Sequence, residues 1–199
     1  MARPKDNKDR IVNAALKTFV TKGYQQTTVA EISKEAGLAE GTLYNYYSSK
    51  EELLLAVFDD KWGGIIEDIR RKIVRIDDPN DKMKTMFSMV VRMFKKDRDL
   101  AEIFLIDVKQ SSIFINNYPV NRVVEFIDLI EEILIEGKKK GVYRKDLDTK
   151  VAKMVIFGAA QGIMLSWVLS ESAADNKKSY KMSLIRASRA LRDIFKYGL

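Results

Sequence analysis

The chain has no cysteine and no histidine among its 199 residues. Disulfides, thiolate nucleophiles, imidazole bases and the usual zinc and copper ligands are therefore excluded. Only three prolines and ten glycines punctuate it, and the alternation of apolar and polar residues that marks a half-buried strand is hard to find. An all-α fold follows. The N-terminus, Met-Ala-Arg-Pro-Lys-Asp-Asn-Lys-Asp-Arg, lacks the apolar stretch of a signal peptide, so a cytoplasmic location is expected. The longest apolar run, Met154–Leu169, is interrupted by Gln161 and Ser166. It falls short of the roughly 20 residues of a membrane span and reads as a helix buried on nearly every side. There is no glycine-rich phosphate loop and no prominent carboxylate pair, so neither an enzyme nor a cofactor or metal site is expected.

What the chain does have is an ordinary soluble composition, 46% hydrophobic and 32% charged. Its net charge of +7 permits a polyanionic partner. The most informative stretch is 28–50. Thr28 and Glu31 have the spacing of a capping box, Ile32 and Ala36 give an apolar stripe, and Gly37 stands where a helix ends in the left-handed conformation. A second short helix, roughly Glu40 to Tyr46, turns Leu43 and Tyr47 inward. Helix, glycine turn and helix form the unit whose second helix enters a DNA major groove. In front of it, residues 7–22 carry apolar positions at 11, 12, 15, 16, 19 and 20, the rhythm of a support helix.

The run Gly-Leu-Ala-Glu-Gly-Thr-Leu-Tyr-Asn-Tyr-Tyr-Ser-Ser-Lys-Glu-Glu-Leu (37–53), with Ile11, Ala14, Ala15, Phe19, Gly23, Tyr24, Thr28, Ile32 and Ala36 before it, resembles the DNA-binding signature of TetR-type transcriptional repressors. The resemblance implies a helix-turn-helix head over 1–50, joined by a bridging helix to a ligand-binding and dimerisation bundle over 51–199, about nine helices in all. It implies that Glu40, Gly41 and Asn45 read bases, and that Thr42, Tyr44 and Tyr46 hold phosphates and sugars. Thr28 is implied to bond a phosphate through its hydroxyl and backbone, and Lys50 to clamp another. Asparagine pairs bidentately with adenine and glutamate accepts from cytosine, which suits those positions. One short recognition helix is too small for tight binding, so a dimer on a palindromic operator is expected. The head holds eight Lys or Arg against five Asp or Glu, which predicts a moderate salt slope.

Beyond the head, Ser49 and Glu52 suggest a second capping box opening a helix of about 25 residues through Leu53, Leu54, Val57, Phe58, Trp62, Ile66 and Ile73. Gly63-Gly64 lies in its middle, where each glycine costs about 1 kcal/mol relative to alanine. Close packing and a soft point in the helix are both open. Asp78-Pro79 starts another helix, about 80–95, rich in methionine and phenylalanine. A short helix is read over 98–108 and a longer one over about 118–137, the latter ending at Gly137-Lys138-Lys139-Lys140-Gly141. The lysines there suit the negative end of a helix. Asp146-Leu147-Asp148 caps the apolar helix of about 148–170, and a last amphipathic helix spans about 178–197.

Residues 97–170 are similar to the TetR-type repressors of fatty-acid degradation. The similarity lies in Asp-Arg-Asp-Leu-Ala (97–101), Asp-Val-Lys-Gln-Ser (107–111), Glu-Gly (136–137), Asp-Leu-Asp-Thr-Lys-Val-Ala (146–152), Ile-Phe-Gly (156–158) and Trp167. Those proteins bind long-chain acyl-CoA. Where their pattern has arginine before Gln110, this chain has Lys109, a compact point charge rather than a planar fork. The implied pocket is lined by Met86, Val90, Phe94, Phe104, Phe157 and Met164. The implied dimer interface takes Phe157, Gly158, Gly162, Leu184 and Leu191, with Gly158 and Gly162 allowing close approach of a neighbouring backbone. A multidrug-binding repressor of an efflux pump is the alternative, and it would want acidic residues for cationic drugs. A DNA-binding protein without an effector is a further alternative.

Overall fold

A computed structural model describes residues 4–96, 98–104 and 121–172. Eight helices and no strand occur among them: α1 Pro4–Lys22, α2 Val29–Ala36, α3 Glu40–Tyr44, α4 Lys50–Ile73, α5 Pro79–Lys96, α6 Arg98–Glu102, α7 Asn121–Lys139 and α8 Thr149–Ser172. The expected helix over 178–197, with Leu184 and Leu191, lies outside the described residues, as do Lys109 and Gln110.

The chain forms two compact units. The first holds α1, α2, α3, α4 as far as Gly64, and α6. The second holds α4 from Ile65 onward, α5, α7 and α8. The units therefore part inside α4, at the glycine pair, rather than at its first residue. A Cβ built on Gly64 meets nothing within 4 Å, so close packing within the subunit does not explain that glycine.

In the first unit α1 packs on α2 and α6, and α2 packs on α3. Ile11, Ala15, Phe19, Ile32, Leu43, Leu53, Leu54 and Val57 are fully buried there. Tyr24 folds back onto α1 as expected, its ring edge-on to Phe19 at 5.3 Å. Phe58, Trp62 and Phe104 form an aromatic cluster, with centroid separations of 5.8, 5.0 and 6.5 Å.

In the second unit α7 is central, with α5 and α8 packed against it. Phe87, Phe126 and Phe157 step across α5, α7 and α8 at 6.1 and 6.3 Å. Surface ion pairs tie the helices at their edges. Arg70 of α4 reaches Glu125 and Glu132, Lys82 of α5 meets Glu136 at 2.5 Å, and Lys153 of α8 bridges Asp128 and Glu131.

Two expectations are corrected. The second capping box is shifted: Ser49 Oγ accepts from Glu52 N at 3.1 Å, but the Glu52 carboxylate turns to the Ser48 N–H and hydroxyl at 2.6 and 2.8 Å. Gly137 does not end its helix. α7 runs through it to Lys139, and the left-handed residue that follows is Gly141, with φ +71°. The lysines beyond serve the corner itself: Lys138 Nζ donates to Leu147 O and Lys140 Nζ to Asp77 O, both at 2.6 Å.

Within this chain α8 is covered on part of its circumference only, and the exposed part includes the glycines expected to meet a neighbouring backbone. Ile156, Met164, Trp167 and Val168 are buried, but Val151, Met154, Val155 and Leu169 are 59, 55, 55 and 51% exposed. With exposed Gly158 and Gly162 they form one continuous stripe. Taken with its flanks, Thr149–Leu169 is also long and apolar enough to cross a membrane, which the shorter run counted from Met154 was not.

Candidate nucleic-acid interface

The helix-turn-helix is built locally and then clamped from outside. Thr28 adopts an extended conformation and caps α2: Glu31 N donates to Thr28 Oγ1 at 3.3 Å, and the Glu31 carboxylate accepts from the Thr28 N–H at 3.0 Å. At the other end Gly37 sits at φ +64°, ψ +38°, its N–H donating to Lys34 O, while Leu38 N donates to Ser33 O at 3.0 Å. That geometry satisfies the last carbonyls of α2 and turns the chain toward α3. Arg10, from α1, adds a partly buried bond from Nη2 to Ala36 O at 2.7 Å. On the surface Lys17 and Lys22 of α1 pair with Glu35 and Glu31 of α2, each at 2.5 Å.

Glu31 is thus a capping carboxylate and an ion-pair partner at once. Lys22, then the Thr28 N–H, holds its carboxyl down from 4.5 to about 2. Because the folded value is depressed, its contribution to stability is complete above about pH 4.5 and is lost as the pH falls toward 2. Glu31→Gln should therefore flatten the decline of Tm between pH 5 and pH 2 relative to the parent chain. Parallel slopes for the two proteins would refute this account of the cap.

α3 spends its apolar residue on anchoring. Leu43 is fully buried, and Tyr47, just beyond the helix, is 4% exposed. Burial, then the charge of Glu52, pushes the Tyr47 hydroxyl up to about 12. The opposite side is presented to solvent: Glu40, Gly41, Tyr44 and Asn45 are exposed, and Thr42 and Tyr46 are half-buried. The helix is shorter than expected, since Asn45 is already its C-cap and Tyr46 N donates back to Leu43 O at 2.9 Å. Of the six residues expected at DNA here, four lie in α3 and Asn45 and Tyr46 just beyond it, and none is fully buried.

The two other expected phosphate contacts stand differently. The Thr28 hydroxyl and N–H both bond the Glu31 carboxylate. Lys50 turns its ammonium onto main-chain carbonyls of the turn before α2. Neither Arg10 nor this use of Lys50 was foreseen, because each joins positions 23 to 27 residues apart and leaves no local pattern.

The expected effector residues divide between the two units. Met86, Val90 and Phe94 recur at i, i+4 and i+8 along one buried stripe of α5, and Met164 is buried on α8. Phe157 is half-buried, facing Phe126 rather than the exposed stripe. Phe104 belongs to the first unit, packed on Phe58 and Trp62. Two pieces of the fatty-acid signature have structural reasons. Gly137 makes room for the Tyr143 ring, and Asp148 caps α8 through bonds from Lys150 N and Val151 N at 3.0 and 3.2 Å.

A clamped helix-turn-helix presenting a polar recognition helix, followed by a helical bundle, defines a DNA-binding regulator. Residues 11–57 match the family of bacterial regulatory proteins, tetR family, and residues 58–185 match the YsiA-like protein, C-terminal region. The chain belongs to the tetR family of transcriptional regulators. It is 28% identical over 167 residues to the fatty acid metabolism regulator protein of Bacillus subtilis (strain 168), covering 83% of this chain and 86% of that protein. Among solved structures, the fatty acid degradation regulator FadR of Bacillus halodurans superposes with a TM-score of 0.82 at 28% identity, over 100% of this chain and 98% of that one. FadR of Bacillus subtilis in complex with stearoyl-CoA also gives 0.82, at 26% identity, over 96% and 98%.

Proposed function

We propose that this protein represses genes of fatty-acid metabolism, binding a palindromic operator as a homodimer and releasing it when a long-chain acyl-CoA occupies the C-terminal bundle. The observation that carries the reading is the similarity along nearly the whole chain to FadR proteins, one of them holding stearoyl-CoA. Similarity confined to the head would speak only for DNA binding. The buried stripe of α5 is apolar, and that helix carries a single acidic residue, Asp81, in its first turn. This favours a fatty acyl chain over the cationic drugs of an efflux repressor. The recognition surface is Glu40, Gly41, Thr42, Tyr44, Asn45 and Tyr46, with Thr28 beside it. The pocket is assigned to Met86, Val90, Phe94, Phe157 and Met164 in the second unit. The exposed stripe of α8 around Gly158 and Gly162 is the subunit contact. A cytoplasmic location follows from that role.

Effector binding releases DNA only by its preference for the DNA-incompetent state. The first test is a thermal shift with oleoyl-CoA, with free CoA and a mild detergent as controls. Ligand at 100 times its Kd adds about 2.7 kcal/mol to the native state, which is about 5–10 °C at this size. A rise of that order with oleoyl-CoA alone is expected. An unchanged Tm in a folded dimer sinks this ligand and brings the efflux reading forward.

A further inference from the structure

Lys50 is the first residue of α4, where the helix dipole disfavours a cation. The structure offsets that placement in a specific way. The carbonyls of Tyr24, Gln25 and Thr27 converge on the Lys50 ammonium at 2.9, 3.3 and 3.0 Å. The Tyr24 ring lies beneath it, with Nζ 4.5 Å from the centroid. The carbonyls are themselves fixed. Gly23 holds φ +80°, Thr27 N donates to Tyr24 O at 3.3 Å, and the buried Thr27 hydroxyl donates to Gly23 O at 2.8 Å. Tyr24 is itself buried against Phe19.

An ammonium has three donors and no acceptor. Three carbonyls use all three, so a DNA phosphate could be bonded only by giving one of them up. The turn so held ends at Thr28, the cap of α2. We infer that Lys50 is a positioning residue for operator recognition: it pins the turn before α2 to the first turn of α4 and does not itself hold a phosphate. α2 is then fixed at both ends by cations from other helices, Arg10 at its C-terminal carbonyls and Lys50 at the turn before its cap. A displacement of the start of α4 reaches α2 through this cage directly. The inference rests on the DNA-binding reading for its functional part, and on geometry alone for the cage.

The test compares the parent protein with Lys50→Met and Lys50→Arg. Two readouts are used: amide exchange across residues 24–31 in the free proteins, and binding to a duplex that the parent protein selects from a randomised pool, measured from about 50 to 200 mM salt. Losing a phosphate contact lowers the salt slope by about 0.9 per subunit. Losing the cage leaves the slope unchanged, weakens binding at every salt concentration by about tenfold, and speeds exchange in the turn by a similar factor. Arginine separates the two roles, since it binds phosphate well but presents a planar fork to three convergent carbonyls. The cage predicts that arginine fails to restore either exchange protection or affinity, and this arm decides the matter if the methionine variant does not fold. A reduced slope with unchanged exchange, or full rescue by arginine, overturns the inference. If the parent protein selects no duplex, the DNA-binding reading fails instead, and the exchange data still judge the cage.

Discussion

Gly162→Leu is expected to leave a folded subunit that no longer dimerises and no longer binds its operator tightly. A Cβ added at Gly158 or Gly162 meets nothing within 4 Å in the single chain. Within one subunit the first carbon of the new side chain is therefore free of clash, and the change gains about 0.8 kcal/mol of helix propensity. The glycines nevertheless lie in the middle of the exposed stripe that runs from Val151 through Met154 and Val155 to Leu169. A row of large apolar residues left half-exposed on one helix needs a covering surface, and glycines four apart let a second backbone come close. A leucine there pushes that backbone away. Because a dimer reads two half-sites, the monomer retains little more than non-specific affinity, a loss of about a thousandfold or more. Sedimentation velocity and operator titration on the same sample check both halves, with Gly158→Ala as a mild control. A variant that stays dimeric and binds normally would place the subunit contact elsewhere.

The second large effect lies inside the second unit. Gly137→Ala should lower Tm by about 2–12 °C, from an overpacking cost of about 1–3 kcal/mol at a few degrees per kcal/mol. Its added Cβ would stand 2.1 and 2.2 Å from Cδ2 and Cε2 of Tyr143. The ring has little freedom to retreat. Val142 N and Tyr143 N both donate to Gly137 O, at 2.8 and 3.2 Å. Burial, then the nearby charge of Asp78, pushes the Tyr143 hydroxyl up to about 12. At an open helical position the same change would stabilise by about 0.5–1 kcal/mol, so the sign of the effect is itself the test. A second comparison identifies the cause: with Tyr143→Ala already in place, Gly137→Ala should become neutral or stabilising, as read by thermal unfolding followed by circular dichroism. Persistent destabilisation in that background would mean that the ring is not the obstacle.

These two glycines show where sequence reasoning reached and where it stopped. The capping box at Thr28 and Glu31, the left-handed Gly37, the start of α5 at Pro79 and the span of α4 each depend on residues within one or two turns. All were legible before the structure. Gly137 reads as a stop because glycine followed by lysines and another glycine is what a helix end looks like. Its real reason is a tyrosine six residues on, which returns across a corner. The apolar circumference of α8 is legible too, but a count of apolar residues does not say which of them this chain covers. Within the recognition surface the outward face of α3 followed from Leu43 and Tyr47 pointing inward. The occupation of Lys50 did not follow, since three carbonyls more than twenty residues away leave no trace in the local pattern. The split of the expected pocket between units has the same origin: Phe104 satisfies an apolar tally but packs with Phe58 and Trp62.

The ion pairs along the helix edges have a consequence for what kind of signal can reach this molecule. Among the described residues, every ionisable group whose titration is displaced moves away from neutrality. Glu31, Asp77, Glu131 and Glu136 are held down by lysine partners, Lys140 and Lys153 are held up by carboxylates, and Tyr47 and Tyr143 are held up by burial. The chain also has no histidine or cysteine whose protonation would change near pH 7. These displaced groups therefore keep one charge across the physiological range. Neither imidazole protonation nor thiol chemistry is available to this chain as a switch.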